Sequence, residues 1–447
     1  MTLSTFKDNF SQTFFIAYPV MLSQLGQVLV GVADSMMVGQ LGAIPLAAAS
    51  LGNSIFYVVM MFGIGVSMAL SPLVAIADGK KSKKRISRLF RHSFHINIAV
   101  GLLLFFIILF FSQMLGFLNQ PAEVVELAVP YLLIITFSLL PFMFFQTFKQ
   151  FAEGLSQTRQ AMFITLFSNG VNVFLNWVLI YGNLGAPAMG LNGAGWATLI
   201  SRVIMGLMMF YYVKKAKRFS HFSLNFSFKG LSFPMVSKIL RIGVPTGFQF
   251  IFEVGAFSSA AIMMGWIGVN ALASHQIAIN LASISYMMAS GLSSAATVRV
   301  GNQLGRNNIR GLRDAGFTAF IMVAMFMSIS ALLFIVLREF LPSLYIDDPA
   351  VIKLSASLLI IAGFFQLSDG VQVLGLGALR GMADVKVPTI VTLVAYWVIG
   401  LPLGYVLAFT YGLNEEGIWY GLLTGLTVTG ALLLYRFHSL SARLLRG

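Results

Sequence analysis

The sequence contains no cysteine among its 447 residues, which excludes disulfides and thiolate metal sites. Charge is also scarce. Only 10% of the residues are charged, whereas 58% are hydrophobic, a balance that is typical of a polytopic membrane protein and not of a soluble domain. The GxxxxGK(S/T) phosphate loop, the HExxH zinc motif and serine-nucleophile motifs are all missing. We therefore expect a protein that is not an enzyme, needs no cofactor and does not hydrolyse ATP by that route.

Apolar residues are gathered into twelve segments, each long enough to cross about 30 Å of hydrocarbon as a helix. The segments cover residues 13–38, 46–77, 92–115, 124–148, 160–182, 190–213, 242–265, 270–298, 315–338, 351–376, 387–410 and 417–436. The longest polar stretch, 214–241, separates six segments from six. We predict an all-α membrane protein of two six-helix lobes: an N-lobe at 1–220 and a C-lobe at 242–447, joined by a linker at 221–241.

The charges between these segments indicate how the chain is oriented. Nearly all of the 29 Lys and Arg residues lie in loops on one side, together with both termini. The opposite side has only Arg338 and Lys353, and Arg202 lies inside the sixth segment. The positive-inside rule therefore places both termini in the cytoplasm. We attribute the net charge of +14 mainly to the positive loops that orient the helices in the membrane. A second effect is attraction to anionic membrane lipids. We expect no nucleic-acid partner.

The two halves of the chain repeat. A shift of 226 residues aligns five positions without a gap: Pro19 with Pro245, Gly39 with Gly265, Gly42 with Gly268, Gly65 with Gly291 and Gly79 with Gly305. Six helices per half is an even number, so both halves enter the membrane from the same side. Their pseudo-two-fold axis must then run along the membrane normal, with a substrate site between the halves. Pro19 and Pro245 are candidate hinges, although a static kink is an equal alternative.

Three carboxylates lie inside the apolar segments: Asp34, Glu253 and Asp369. A charge at that depth costs at least about 2.5–3.5 kcal/mol, so each is a candidate functional residue. Each shares a helix face or a region with other polar side chains: Gln24 and Gln27 with Asp34; Asn169, Asn172 and Asn176 in the fifth segment; Thr246 and Gln249 with Glu253; and Gln366 with Asp369. Carboxylate and amide oxygens suit Na⁺ or H⁺. The alternatives are a protonated Glu253 bonded to a neighbouring helix and asparagines that only join helices.

Other residues give weaker evidence for a role in the site. Gln27 is the repeat equivalent of Glu253, and Ala260 is the equivalent of Asp34, so the two lobes need not bind the same ion. Tyr286 could offer its phenol beside Glu253, or it could be an ordinary packed tyrosine. The GxxxG pairs Gly400–Gly404 and Gly421–Gly425 predict close helix packing and no chemistry.

The chain resembles the multidrug and toxic compound extrusion (MATE) family, in its NorM-type branch. The stretches that carry the resemblance are YPVMLSQLGQVLVGVADSMMVGQLG (18–42), SNGVNVFLNWVLIYG (168–182), GLNGAGWA (190–197), GVPTGFQFIFE (243–253), ASHQIAIN (273–280) and QLSDGVQVLGLGALRG (366–381). The resemblance implies two six-helix lobes in a V around a central cavity. It also implies export of cationic and amphipathic drugs in exchange for Na⁺ or H⁺ across the bacterial inner membrane, and we expect a monomer.

Residue by residue, the resemblance makes Glu253 and Asp369 the carboxylates of a C-lobe cation site. NorM-type sequences that hold these two acids together with Asp34 lean toward Na⁺ coupling. It makes Asp34 the essential N-lobe acid. Asn172, Asn176 and Thr198 are then placed beside Asp34, while Tyr286 fits a ligand-side aromatic of some members. Position 365 departs from the pattern, because it is Phe where other members carry a hydroxyl.

Two other transport functions, a flippase and a channel, are alternatives to drug export. A lipid or lipid-linked saccharide flippase of the same superfamily should line its cavity with several cations, and only Arg202 is intramembrane. A channel would need rings of like residues, which the two unlike lobes do not provide.

Overall fold

A computed structural model describes residues 3–118, 120–222, 224, 226–228 and 230–446. Over these residues the chain is helical, with turns and short 3₁₀ segments between the helices and no strand. The twelve long helices are α1 Leu3–Gly39, α2 Ala43–Gly79, α3 Lys83–Gln113, α4 Ala122–Gly154, α5 Arg159–Tyr181, α6 Leu191–Lys215, α7 Phe233–Ile267, α8 Val269–Gly305, α9 Ile309–Val336, α10 Pro349–Gly381, α11 Lys386–Thr410 and α12 Asn414–Arg446.

Each predicted apolar segment corresponds to one of these helices, so the all-α class and the helix count are confirmed. Several helices are longer than the segments, because hydropathy marks only the part of a helix that suits hydrocarbon. For example, α7 begins at Phe233, so nine residues of the predicted linker are helical. Among the described residues, eleven helices are apolar enough to cross a membrane. The twelfth, α8, has 37 residues but a row of polar side chains, several of them buried.

Prolines account for the interruptions in three helices. A proline has no N–H to donate, and its ring collides with the carbonyl four residues earlier. In α2 the ladder breaks at residues 68–69, just before Pro72, and in α4 it breaks at Ser138, just before Pro141. In α11 the turns on either side of Pro402 widen into π-helix, at Val394–Gly400 and Val406–Thr410.

The contacts within the chain define two compact units. The N-terminal unit is Leu22–Gly247, and the C-terminal unit runs from Phe248 onward together with the segment that ends at Met21. Both divisions lie inside a helix, two residues after Pro19 in α1 and two residues after Pro245 in α7. They are themselves 226 residues apart, the spacing of the repeat. The lobe limits at 220 and 242 remain a prediction.

Equivalent glycines make equivalent contacts in the two units. Gly42 and Gly268 both have positive φ, 120° and 156°, and each ends the turn before the second helix of its half. A Cβ on Gly65 of α2 would fall 2.5 Å from the Cα of Gly247 in α7. Its repeat mate, Gly291 of α8, is equally close to Met21 of α1. The sequence repeat is thus a repeat of packing, and a side chain at either position would separate two helices.

The described part of the linker is tied to α3 within the N-terminal unit. The Arg91 guanidinium donates to the carbonyl of Gly230 at 2.8 Å, and the backbone N–H of Ser232 donates to His92 Nε2 at 2.9 Å. The ring of Phe226 packs on those of Phe90 and Phe94. The linker is therefore held against its own unit at the cytoplasmic end of α3 that the charge pattern predicts.

Glycines allow α11 and α12 to approach closely in the C-terminal unit. A Cβ on Gly421 would meet the Cα of Gly404 at 2.4 Å and the carbonyl of Gly400 at 2.5 Å. This confirms the packing interpretation of the two GxxxG pairs. The contact brings α11 to a fixed position beside the candidate site described next.

Candidate functional site

The N-terminal unit holds Asp34 of α1 in a hydrogen bond to α5. Asn176 Nδ2 donates to Asp34 Oδ1, and the same amide lies 3.3 Å from Asn172 Oδ1, one turn earlier on α5. Asn172 in turn donates to Thr198 and Ser201 of α6, both at 3.4 Å. Asn176 is fully buried and Asp34 is half-buried. Four predicted site residues, Asp34, Asn172, Asn176 and Thr198, are therefore brought together across three helices.

Gly26 of α1 packs closely against side chains of α5. A Cβ at this position would fall 2.6 Å from Leu166 Cδ2 and 3.0 Å from Asn169 Nδ2, so a larger residue would require these side chains to move. Asn176 Oδ1 is buried and has no hydrogen-bond donor among the described residues. An amide oxygen of this kind beside a carboxylate is free to accept a hydrogen bond or to coordinate a cation. Gln27, two turns before Asp34, is half-buried, and no hydrogen bond joins it to this group in the described contacts.

Arg202 of α6, which the sequence left without a partner, lies between aromatic rings. Its guanidinium is 5.0 Å from the ring centroids of both Phe56 and Phe142, and it donates to Ser138 Oγ at 2.8 Å. Ring faces attract a desolvated cation strongly. Arg202 also interacts electrostatically with Asp34. The sequence identified Arg202 as an intramembrane cation but did not identify these partners.

The C-terminal unit buries Glu253 of α7, which is 5% exposed. Gln372 Nε2 of α10 donates to Glu253 Oε1 at 2.6 Å, and the phenol of Tyr396 in α11 donates to Gln372 Oε1 at 2.7 Å. Gln372 and Tyr396 are themselves fully buried. Glu253 Oε2 is buried without a protein donor among the described residues. One carboxylate oxygen, Oε1, thus accepts a hydrogen bond from the protein, whereas no described protein group donates to the other, Oε2.

Asp369 of α10 belongs to the same site, because it is 4% exposed and interacts electrostatically with Glu253. Tyr286 of α8 is close enough to both acids to interact with them electrostatically, and it also packs against the apolar core. Its role as a ligand-side aromatic remains a prediction. Gln249 is buried one turn before Glu253 on α7. The buried Gln366 is fixed through its Oε1, which accepts from Ser285 at 2.7 Å.

Phe365 explains one departure from the family pattern. Its ring is 2% exposed and packs on Trp419 at 5.5 Å and on Phe257 at 6.1 Å. It fills the apolar core of the unit and offers no oxygen. The residue that the sequence missed is Gln372, which has its own signal, since it follows Asp369 by three positions on the same helix face. Tyr396 had no such signal.

The two sites differ in what they can do chemically. The N-terminal site combines one carboxylate with amide and hydroxyl groups, whereas the C-terminal site combines two carboxylates with an amide and a phenol. Carboxylate and amide oxygens are the ligands that hard monovalent cations prefer, so the donor set of the C-terminal site fits Na⁺. Within the described ranges, no group of three or more His, Cys, Asp and Glu side chains could hold a metal ion.

The MatE family model matches residues 19–178 and 245–406. The two matched segments begin 226 residues apart and so follow the internal repeat. Together they cover more than half of the chain, and they include every carboxylate described above.

Relatives and solved structures agree with this match. The probable multidrug resistance protein NorM of Mesorhizobium japonicum is 37% identical over 432 residues, which cover 95% of this chain and 92% of the relative. The multidrug resistance protein MdtK of Yersinia pseudotuberculosis is 34% identical over 428 residues, 95% of this chain and 94% of its own length. A MATE family multidrug resistance transporter in an outward-facing conformation has a TM-score of 0.90 at 21% identity, covering 98% of this chain and 97% of that structure.

Proposed function

Because the chain belongs to the MATE family, we propose that it is a secondary active transporter that exports cationic and amphipathic drugs in exchange for Na⁺. The coupling cation binds at Glu253 and Asp369, and Asp34 with its asparagines forms a second coupling site. H⁺ is the alternative cation, since the same carboxylates can take a proton. The protein works in the bacterial inner membrane by alternating access and catalyses no covalent reaction.

The observation that carries this proposal is a pair of buried acids, Glu253 and Asp369, in one cluster without an ion pair to a basic side chain among the described contacts. The basic group near them, Arg380 of α10, interacts electrostatically with Glu253. It can balance one of the two negative charges, and a second buried charge without a counter-charge is costly. A site of this kind is stable when a cation occupies it, which makes it suitable for coupling an ion gradient to transport. Pro19 and Pro245 support the hinge role, because the two units meet in sequence two residues after each of them.

The flippase alternative is not favoured by the surroundings of Arg202. A pyrophosphate site needs several cations that are free to bind phosphate oxygens. Arg202 is instead engaged by two ring faces and by Ser138.

The proposed function predicts that a Na⁺ gradient alone drives drug movement. Purified protein in liposomes should accumulate or release ethidium or norfloxacin when Na⁺ is imposed across the membrane at equal pH. An equal K⁺ gradient should have no effect. Movement driven by a pH gradient alone would replace Na⁺ with H⁺, and movement under no gradient would refute drug antiport.

The orientation predicts which loops are exposed to the cytoplasm. The chain has no cysteine, so single cysteines can be labelled without background. In intact cells a membrane-impermeant maleimide should leave a cysteine at the exposed Lys84 unlabelled. It should label one at the exposed Asp347, which lies between α9 and α10. Labelling at Lys84 with protection at Asp347 would invert the topology.

A further inference from the structure

The π-helical turn of α11 places two neighbouring aromatic residues close to Glu253. The turn covers Val394–Gly400 and includes Tyr396 and Trp397. Such turns are rare inside α-helices and are frequent at functional sites. Here the turn has a local cause, since Pro402 removes a donor from the helical ladder just beyond it.

Each aromatic residue donates a hydrogen bond to a direct neighbour of Glu253. Tyr396 donates its phenol to Gln372, and Gln372 donates to Glu253 Oε1, at 2.7 Å and 2.6 Å. Trp397 Nε1 donates to the backbone carbonyl of Phe252, the residue before Glu253, at 3.0 Å. Consecutive residues of one helix therefore hold the carbonyl of Phe252 directly and the side chain of Glu253 through Gln372.

The approach of Trp397 to α7 is close. A Cβ on Gly255 would fall 2.9 Å from Trp397 Cζ2, so the indole lies against α7 directly and without an intervening side chain. This contact is independent of the Gln372 contact, and both lead to the same short stretch of α7.

The direction of the hydrogen bonds decides which oxygen is available. Gln372 has one acceptor and one donor group, and Tyr396 occupies the acceptor. The amide N–H therefore points at Glu253 and takes Oε1, which leaves Oε2 without a protein donor among the described residues. The charged and titratable groups near Glu253 on the other helices are Asp369 and Arg380 of α10, Tyr286 of α8 and Tyr396 of α11.

We propose that Gln372 is a positioning residue for the coupling cation: it fixes Glu253 so that Oε2 faces the ligand, and Tyr396 and Trp397 hold this arrangement. The inference rests on the proposed cation site at Glu253 and Asp369. It assigns a role to three residues that do not themselves bind the ion. Positioning partners of metal ligands typically change metal affinity by about 10–100-fold when they are replaced.

The test measures cation binding by the full-length purified protein and not transport. Na⁺ is added in a background of K⁺, and the rise in unfolding temperature is followed, because a ligand that binds the folded state stabilises it. The variants are Tyr396→Phe and Gln372→Met, which keep the size of the side chain, and Trp397→Phe, which removes only the indole N–H and part of the ring. Tyr405→Phe, an exposed position on the same helix, is the matched control.

We expect the half-saturating Na⁺ concentration to rise about tenfold in Tyr396→Phe and at least as much in Gln372→Met. Trp397→Phe should show a smaller rise, and Tyr405→Phe should match the wild type. A Tyr396→Phe protein that unfolds at a lower temperature but binds Na⁺ with unchanged affinity would show a purely structural role and overturn the proposal. If one variant does not fold, the other two decide in the same way.

The failure of the proposed function would look different. In that case the wild type would show no rise with Na⁺ over K⁺. The same variants are then compared in a pH series in K⁺ alone. A shifted midpoint of the pH response in Tyr396→Phe, with none in Tyr405→Phe, supports the positioning role for a proton-coupled site, and an unshifted midpoint overturns it.

Discussion

Asp34→Asn should abolish drug efflux, reducing it to the level of empty liposomes, while the protein still inserts and folds. The substitution keeps the shape of the side chain, and its amide oxygen can still accept the hydrogen bond from Asn176. What is lost is the negative charge and the ability to exchange a proton or hold a cation. Efflux and the thermal unfolding of the purified variant, measured side by side, separate these two effects.

A matched control comes from the same helix. Asp8 is exposed near the start of α1, so Asp8→Asn makes the same chemical change outside the polar cluster and should leave efflux unchanged. If Asp34→Asn exports at the wild-type rate, the N-terminal acid only joins helices α1 and α5. Loss of activity in both variants would point to the charge of α1 in general and not to the site.

Glu253→Gln and Asp369→Asn should each abolish the Na⁺ dependence of efflux, and the double variant should be little worse than either single one. The two carboxylates are buried in one cluster and interact electrostatically. A cation shared between them compensates both charges at once, so removing either one removes the shared ligand set. Residues that act as a unit are non-additive in this way.

The same site makes a prediction about binding at equilibrium. Drug and Na⁺ are exchanged for each other, so drug affinity should fall as the Na⁺ concentration rises, and the coupling must be reciprocal. The measurement is drug binding to purified protein at several Na⁺ concentrations, with K⁺ as the comparison. Glu339→Gln and Asp347→Asn, at exposed positions of the same unit, should keep the wild-type Na⁺ dependence.

Two results would contradict the shared site in different ways. Equal affinities in Na⁺ and K⁺, with a steep pH dependence that both variants lose, would establish H⁺ as the coupling ion. Mild and additive effects of Glu253→Gln and Asp369→Asn would mean that the two acids do not act on one cation at all.

The sequence by itself determined the architecture, because hydrocarbon tolerates few structures. Backbone polar groups in a bilayer must be bonded within a helix or a closed barrel, so a long apolar run already predicts a helix, and twelve runs gave twelve helices. The internal repeat could also be recognised in the sequence, because close helix contacts restrict the residue type. Gly65 and Gly291 are placed where two helices touch, and only glycine permits that approach. The cost of burying a carboxylate singled out Asp34, Glu253 and Asp369.

Only the tertiary structure decided which helices supply the partners of those acids. The helical period tells which side chains share one face, but it carries no information on which face of another helix lies opposite. Asn176 could be matched to Asp34 because both resembled known positions, whereas Tyr396 and Trp397 belong to α11, more than 140 residues from Glu253. Their positions depend on the π-helical turn of α11. They also depend on the close contact of α11 with the glycines of α12. The partners of Arg202 are likewise visible only in the structure, where its guanidinium lies over aromatic rings of α2 and α4. Any suitable ring face can stabilise a desolvated guanidinium, so no fixed sequence spacing predicts such a contact.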